Sequence, residues 1–417
     1  LTDPADPFDA LRTREALEAH ETDWLAPYAE KSGASRGRAF PSAPHPYRTE
    51  FQRDRDRIMY TTAFRRLQYK TQVFVNHEGD YYRTRLTHTS EAAQIARTIA
   101  QALGANADLA EAVTLAHDLG HSPFGHSGEV TLDRLMLRRM GLEPKDPANK
   151  GVGFNHTLQS LRIVTKLEER WTDHAGLNLT WEAREGIVKH ATEYDSVHRD
   201  WLAPYEPDLG SSLEAQIVNF ADELTYSSHD LDDGLRSGMI DMHMPELTRL
   251  ELWQRAIAGV ADADDELRRH RVIRRVVDLL ISDCVYASAA RIQAAAPRSS
   301  DDVRRAGPLM ALSPEMLGLQ RELKDFLFRH MYRNYRVVRM FRKAERVLVR
   351  LFEAFEEDYR QLPPGTVERL RQAQPGLRPG AALNPDAYRV ICDYLAGMTD
   401  RYALQEYARL WDPLQRA

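Results

Sequence analysis

Apolar residues recur along this chain at the three-to-four-residue spacing that lays them on one face of a helix, and runs alternating apolar with polar are nearly absent. In the stretch 86–103, Ile95, Ile99 and Leu103 stand four apart in an Ala-rich sequence that stops at Gly104, a residue suited to a helix C-terminus. The same periodicity predicts helices over 109–119, 156–170, 181–190, 212–235, 249–260, 264–296, 316–358 and 384–411. Clusters of Gly, Pro and Ser predict loops at 32–47, 140–154, 203–211, 296–314 and 362–383. No hairpin signature joins two strand-like runs, so the predicted class is mainly α. The expected division is an N-terminal segment, partly loop, over 1–49, a catalytic core over 50–240 and a helical C-terminal region over 241–417.

Composition narrows the setting. A chain of 417 residues with 43% hydrophobic content can bury a large core. No apolar run approaches a membrane span, and Leu1-Thr2-Asp3-Pro4 lacks the charged-then-apolar pattern of a signal peptide, although a start without Met leaves room for a segment upstream. Cys284 and Cys392 cannot build a disulfide framework or a Cys-x-x-Cys motif. A cytoplasmic protein with no membrane partner is expected. A net charge of −6 excludes a protein that coats polyanions generally and leaves local basic clusters to do any such binding. One cluster spans 329–350, where Arg329, Arg333, Arg336, Arg339, Arg342, Arg346 and Arg350 interleave with Tyr332, Tyr335 and Phe341. An amphipathic helix whose arginines pair with acids is the favoured reading there, and a grip on a regulatory nucleotide or a single strand is the alternative.

Candidate chemistry concentrates between 77 and 229, which hold ten of the 15 histidines: His77, His88, His117, His121, His126, His156, His174, His190, His198 and His229. Thirteen residues from His117 to Glu129 contain three histidines and two carboxylates, broken by Pro123 and by Gly120 and Gly125. Neutral imidazole with carboxylate oxygen suits a divalent ion such as Mn, Fe, Ni, Co or Zn. Upstream, His88 opens the Ala-rich helix; downstream, Asp222, Tyr226 and Asp230 stand at i, i+4 and i+8 on one helical face. Taken singly, His88 or His156 is better explained as a cap or core histidine. His190 and His229 read equally well as surface residues or as supports behind a site, and Asp232 and Asp233 are not read as ligands.

The series His88, His117-Asp118, Asp222 resembles the HD-domain metallophosphohydrolases. The longer runs 63–67, 70–74, 83–88, 117–129 and 221–234, together with 393–403, are similar to the deoxyguanosine triphosphate triphosphohydrolase-like family, over about 50 to 405. The resemblance implies an HD-domain helical core and hydrolysis of a deoxynucleoside triphosphate (dNTP) to deoxynucleoside and inorganic triphosphate. One divalent metal per site, Mn or Mg with Fe, Co and Ni also compatible, would be held by His88, His117, Asp118 and Asp222, polarising phosphate and activating water. His126 is the candidate acid for the departing 5′-oxygen, with Glu129 one turn on to orient it. His121 and His156 match phosphate-facing positions, and Arg85 and Lys189 are read as phosphate clamps. Gln72 and Val73 are read as lining the sugar side, where Tyr226 and Asp230 would read the deoxyribose. A homo-oligomer, tetramer or hexamer, is implied, with a dNTP effector or single-stranded nucleic acid as further partners. Two other functions use the same residues: an HD-type phosphodiesterase or 5′-nucleotidase, and a nucleotide- or single-strand-binding regulator with a vestigial site.

Overall fold

The structure is a computed structural model that describes residues 11–72, 83–190, 199–260 and 264–415. Its longer helices are α1 (Arg14–Trp24), α2 (Glu50–Met59), α3 (Arg85–Ala102), α4 (Ala107–His117), α5 (Gly125–Arg139), α6 (His156–Arg162), α7 (Trp181–Val188) and α8 (Leu213–Arg236). The C-terminal part adds α9 (Glu251–Ala258), α10 (Asp265–Ala295), α11 (Ser300–Ala306), α12 (Pro314–Leu327), α13 (Tyr335–Glu357), α14 (Pro364–Ala373), α15 (Pro385–Ala396) and α16 (Asp400–Trp411). Among the described residues there is no strand, only the isolated bridges Arg38–Thr180 and Thr71–Thr84. No helix among them is long and apolar enough to cross a membrane.

Polar side chains start the helices that carry the site. Thr84 caps α3, Asn106 caps α4 and Ser212 caps α8, each accepting backbone N–H groups that the first turn leaves unpaired. Helices α3, α4 and α8 pack together. Their contact faces are built from small residues: Ala92, Ala96 and Ala100 on α3, and Ala110, Ala112 and Ala116 on α4, are fully buried. With methyl groups at the interface the axes come close, and polar side chains at the helix ends reach one another across it. Leu109, Val113 and Leu115 of α4 face a core shared with Phe51 and Ile58 of α2 and Ile187 of α7. A second core joins Ile217, Leu224 and Leu231 of α8 to Val276 and Leu280 of α10 and Phe326 of α12.

A third core lies between Phe124, Leu132 and Met136 on one side and Leu348, Phe352, Ile391 and Leu395 on the other. The N-terminal half of the chain thus buries its α5 face against α13 and α15.

Several predicted boundaries are corrected. The run 316–358 is two helices, α12 and α13, separated by a π turn at Phe328–Tyr332. Its apolar face continues through Phe326, Met331 and Val337, so periodicity alone could not register the break. The run 384–411 divides at Gly397, with Thr399 capping α16. The predicted loops 296–314 and 362–383 contain α11 and α14. Helix α5 lies outside the predicted runs because its first turn, Gly125-His126-Ser127-Gly128, consists of weak helix formers.

Candidate active site

The site forms where the N-terminal turn of α3, the C-terminus of α4 and the middle of α8 meet. His88 Nε2 lies 2.8 Å from Asp222 Oδ1, and His117 Nε2 lies 3.5 Å from the same oxygen and 3.3 Å from Asp118 Oδ1. His117 Nδ1 donates to the Thr114 carbonyl at 2.5 Å, which fixes the tautomer and leaves the lone pair on Nε2. That nitrogen is buried and has no hydrogen-bond partner among the described residues. A lone pair and carboxylate oxygens converging on one point call for a cation, so the donors fit the divalent ion expected from the sequence. His88, His117 and Asp222 form a cluster able to hold one, and Asp118 stands at its edge. With no ion bound, the same convergence favours a proton on Nε2: burial opposes charge but is outweighed, and Asp118 and Asp222 push His117 up to about 9, a proton that a bound ion would displace. Both carboxyls are in turn held well below the usual range, Asp118 by His117 and Arg85, Asp222 by His117 and His88.

Two further histidines support the cluster, and the structure removes the surface reading for both. His190 is buried, its ring 5.0 Å from that of His117 and its Nε2 3.7 Å from Asp222 Oδ2. His229 Nδ1 meets His88 Nδ1 at 3.3 Å, and its Nε2 lies 2.5 Å from Glu91 Oε2.

Beside the first cluster stands another, of His121, Glu129 and His156, all buried. The two rings stack with centroids 3.8 Å apart, and Glu129 Oε1 accepts from the His156 backbone N–H at 2.8 Å and lies 3.0 Å from its Nδ1. The expected orienting of His126 by Glu129 is therefore corrected. His126 is exposed, in the first turn of α5, while the carboxylate of Glu129 turns inward to the start of α6. Equal spacing on a helix placed the two on neighbouring turns but did not decide which way the carboxylate swings. Arg85 joins the clusters, its Nη1 3.0 Å from Asp118 Oδ2.

On α8, Asp230 is buried two turns beyond Asp222 and accepts a hydrogen bond from the Tyr332 hydroxyl. Burial and neighbouring Asp233 push the Asp230 carboxyl well above its ordinary range. The Tyr226 ring, partly exposed, stacks on that of Tyr332 at 6.4 Å. Tyr332 belongs to the basic, aromatic run 329–350; the π turn carries it to the site, and nothing in the sequence marks that turn. The rest of that run is an amphipathic helix face. Val337, Ala344, Val347 and Leu348 are buried, Arg342 pairs with Glu345 at 3.0 Å, and Arg339 lies over the Tyr335 ring.

Lys189, expected as a phosphate clamp, has protein partners in the structure. Its ammonium is engaged by Glu185 Oε1 at 3.1 Å and by the carbonyls of Leu209 and Gly210 at 3.2 and 2.8 Å. Gln72 is buried near the mouth of α5, where the carbonyls of Thr71 and Gln72 lie against Gly125. Val73, His77 and His198 lie outside the described residues. Lys70 and Asp400 went unassigned in the sequence. The buried Lys70 ammonium donates to the carbonyls of His121 and Ala396, and burial with nearby Arg66 and Arg85 lowers it to about 7.

Comparison with known proteins agrees with this geometry. A family model for the HD domain matches residues 85–227, and one for the phosphohydrolase-associated domain matches 310–409. Fold and site together define a metal-dependent phosphohydrolase of the HD-domain class. The chain is 48% identical to a deoxyguanosinetriphosphate triphosphohydrolase-like protein of Thiobacillus denitrificans, over 93% of this chain and 97% of that one. Proteins of the same description from Bordetella pertussis, at 48% identity over 93% of this chain and 96% of theirs, and from Geobacter metallireducens, at 46% over 95% and 98%, match similarly. The chain belongs to the deoxyguanosinetriphosphate triphosphohydrolase-like family.

Proposed function

We propose that this protein hydrolyses deoxynucleoside triphosphates to deoxynucleoside and inorganic triphosphate by attack of water at the α-phosphorus. The observation that carries the reading is the layout of α8: Asp222 stands in the cation cluster, and two turns on, about 12 Å along the helix axis, Asp230, held by Tyr332, offers a buried carboxyl. A divalent ion held by His88, His117, Asp118 and Asp222 would polarise the phosphate and lower the pKa of an attacking water. Arg85 places its guanidinium between the clusters, where phosphate charge would gather. His121 and His156 form the adjoining wall. His126, exposed in the first turn of α5, is free to approach a bound substrate and supply the proton to the departing 5′-oxygen. The partly exposed Tyr226 ring, stacked on Tyr332, would fill the space that a 2′-hydroxyl needs.

Incubation with each of the four dNTPs and with Mn or Mg, followed by identification of the products, tests the reading. Deoxynucleoside and intact triphosphate are expected. Release of orthophosphate or a monophosphate would point instead to an HD-type nucleotidase or phosphodiesterase, and no turnover to a regulator.

A further inference from the structure

Behind His88 runs a line of contacts that ends in a carboxylate away from the cation cluster. His88 Nε2 faces Asp222 Oδ1 at 2.8 Å, His88 Nδ1 meets His229 Nδ1 at 3.3 Å, and His229 Nε2 lies 2.5 Å from Glu91 Oε2. Helical spacing builds this line: Glu91 stands one turn after His88 on α3, and His229 two turns after Asp222 on α8. Arg83 anchors the outer end. Its Nε lies 3.2 Å from the same Glu91 oxygen, and its Nη1 lies 2.8 and 3.1 Å from carboxylate oxygens of Asp232 and Asp233.

Counting protons along the line decides how its contacts are satisfied. Both rings are buried, which favours the neutral form, and two neutral imidazoles bring two N–H groups to three contacts. One contact must go without a proton. It is not the outer one, where a lone pair on His229 Nε2 would face the Glu91 carboxylate. Nor is it the middle one, where two Nδ1 lone pairs would oppose each other at 3.3 Å. The contact left is that of His88 Nε2 with Asp222, where two acceptors converge as they would on a cation.

We propose that His229 and Glu91 are positioning residues that fix the tautomer of His88 as a metal ligand. Glu91 accepts from His229 Nε2–H, His229 Nδ1 accepts from His88 Nδ1–H, and the lone pair of His88 is left on Nε2, facing the ion. His117 obtains the same orientation from a carbonyl of its own helix, that of Thr114. His88 obtains it from across the α3–α8 interface. The proposal rests on the reading of His88 as a ligand and is independent of which nucleotide is hydrolysed.

Full-length protein stripped with chelator and titrated with Mn(II) alone, the free ion being followed by electron paramagnetic resonance, tests this without nucleotide. His229→Leu fills much of the same space without an acceptor and should weaken Mn(II) binding by about 10–100-fold. His229→Asn should stay within about threefold of native, because its Oδ1 can accept where the imidazole Nδ1 did. Glu91→Gln, whose amide oxygen still accepts the His229 N–H, should likewise stay close to native, whereas Glu91→Met should weaken binding at least about fivefold. Far-UV circular dichroism establishes that each variant is folded. Should a His229 variant fail to fold, the Glu91 pair decides on the same readout. Native affinity in His229→Leu, equal losses in His229→Leu and His229→Asn, or equal affinities in the Glu91 pair overturn the proposal. A native protein that binds no Mn(II) removes the ligand reading and the proposal with it. Failure to find the dNTP products touches neither, since no nucleotide is present.

Discussion

Asp400 accepts the backbone N–H of Phe124 at 2.8 Å, although 276 residues separate them in sequence. Its second oxygen accepts the Thr71 N–H at 2.9 Å and the Thr71 hydroxyl. Phe124 sits at φ 65, a left-handed conformation that costs a non-glycine residue roughly 1–2 kcal/mol. The Asp400 bond and the packing of the Phe124 ring against the third core hold it there, and the turn that results swings α5 away from α4. In Asp400→Asn the amide would set a donor against one of the two N–H groups. Stability should fall by about 1–3 kcal/mol in urea denaturation, and phosphohydrolase turnover by more than tenfold, while Mn(II) binding at the His88–Asp222 cluster survives. Unchanged turnover would show that the turn does not need its C-terminal clamp.

Gly120 lies where two backbones nearly touch. A Cβ there would fall 2.1 Å from the His156 carbonyl oxygen and 2.3 Å from the Ser160 nitrogen. The Gly120 N–H donates to Ser160 Oγ at 2.8 Å, and that hydroxyl donates to the His117 carbonyl at 2.7 Å. Gly120→Ala must push α6 off the end of α4, so a loss of about 3 kcal/mol is expected, measured by chemical denaturation. Metal affinity should fall with it, since His117 is tied to the same hydroxyl. A loss under about 0.5 kcal/mol would mean that the interface slides freely.

Tyr332→Phe removes a hydroxyl that donates to Asp230 Oδ2 and keeps the ring that stacks on Tyr226. A fall in kcat/KM for dNTPs of roughly tenfold, with less discrimination against ribonucleotides, is expected in steady-state kinetics, as for the loss of one buried hydrogen bond. Equal kinetics in the variant would separate Tyr332 from sugar recognition.

Away from the site, Glu30 packs beside Glu214 and pairs with buried Arg304 at 2.6 Å. Burial and the Glu214 charge outweigh Arg304 and raise Glu30 to about 7. The folded state therefore binds a proton more readily than the unfolded chain. The stabilisation is complete below the ordinary carboxyl value of 4.5 and is lost as pH rises through 7. Thermal stability should decline across that window, and Glu30→Gln should flatten the slope. A variant that keeps the native slope would place the titration elsewhere.

The residues expected to form the first cluster do converge in space, because each sits at a helix position that sequence pattern could locate: His88 in the first turn of α3, His117 in the last turn of α4, Asp222 inside α8. What stayed hidden depends on rotamer choice or on contacts across long sequence distances. Glu129 has His126 as a helical neighbour and chooses His156. Lys189 carries the charge of a phosphate clamp and spends it on two carbonyls and a glutamate. Tyr332 reaches Asp230 only through a π turn, whose single extra residue per turn leaves the apolar periodicity readable as one unbroken helix. Asp400 stood in a recognisable motif, yet its role required knowing that Thr71 and Phe124 would meet there.

The bonds from Asp400 to Thr71 and Phe124 also set the order in which the molecule becomes competent. During synthesis the histidine-bearing helices leave the ribosome hundreds of residues before α16, at roughly 5–20 residues per second. For tens of seconds the nascent chain holds its ligands without the clamp that shapes the turn between them. A chain interrupted before residue 400 would retain the ligand helices and lack the carboxylate that clamps the turn between them.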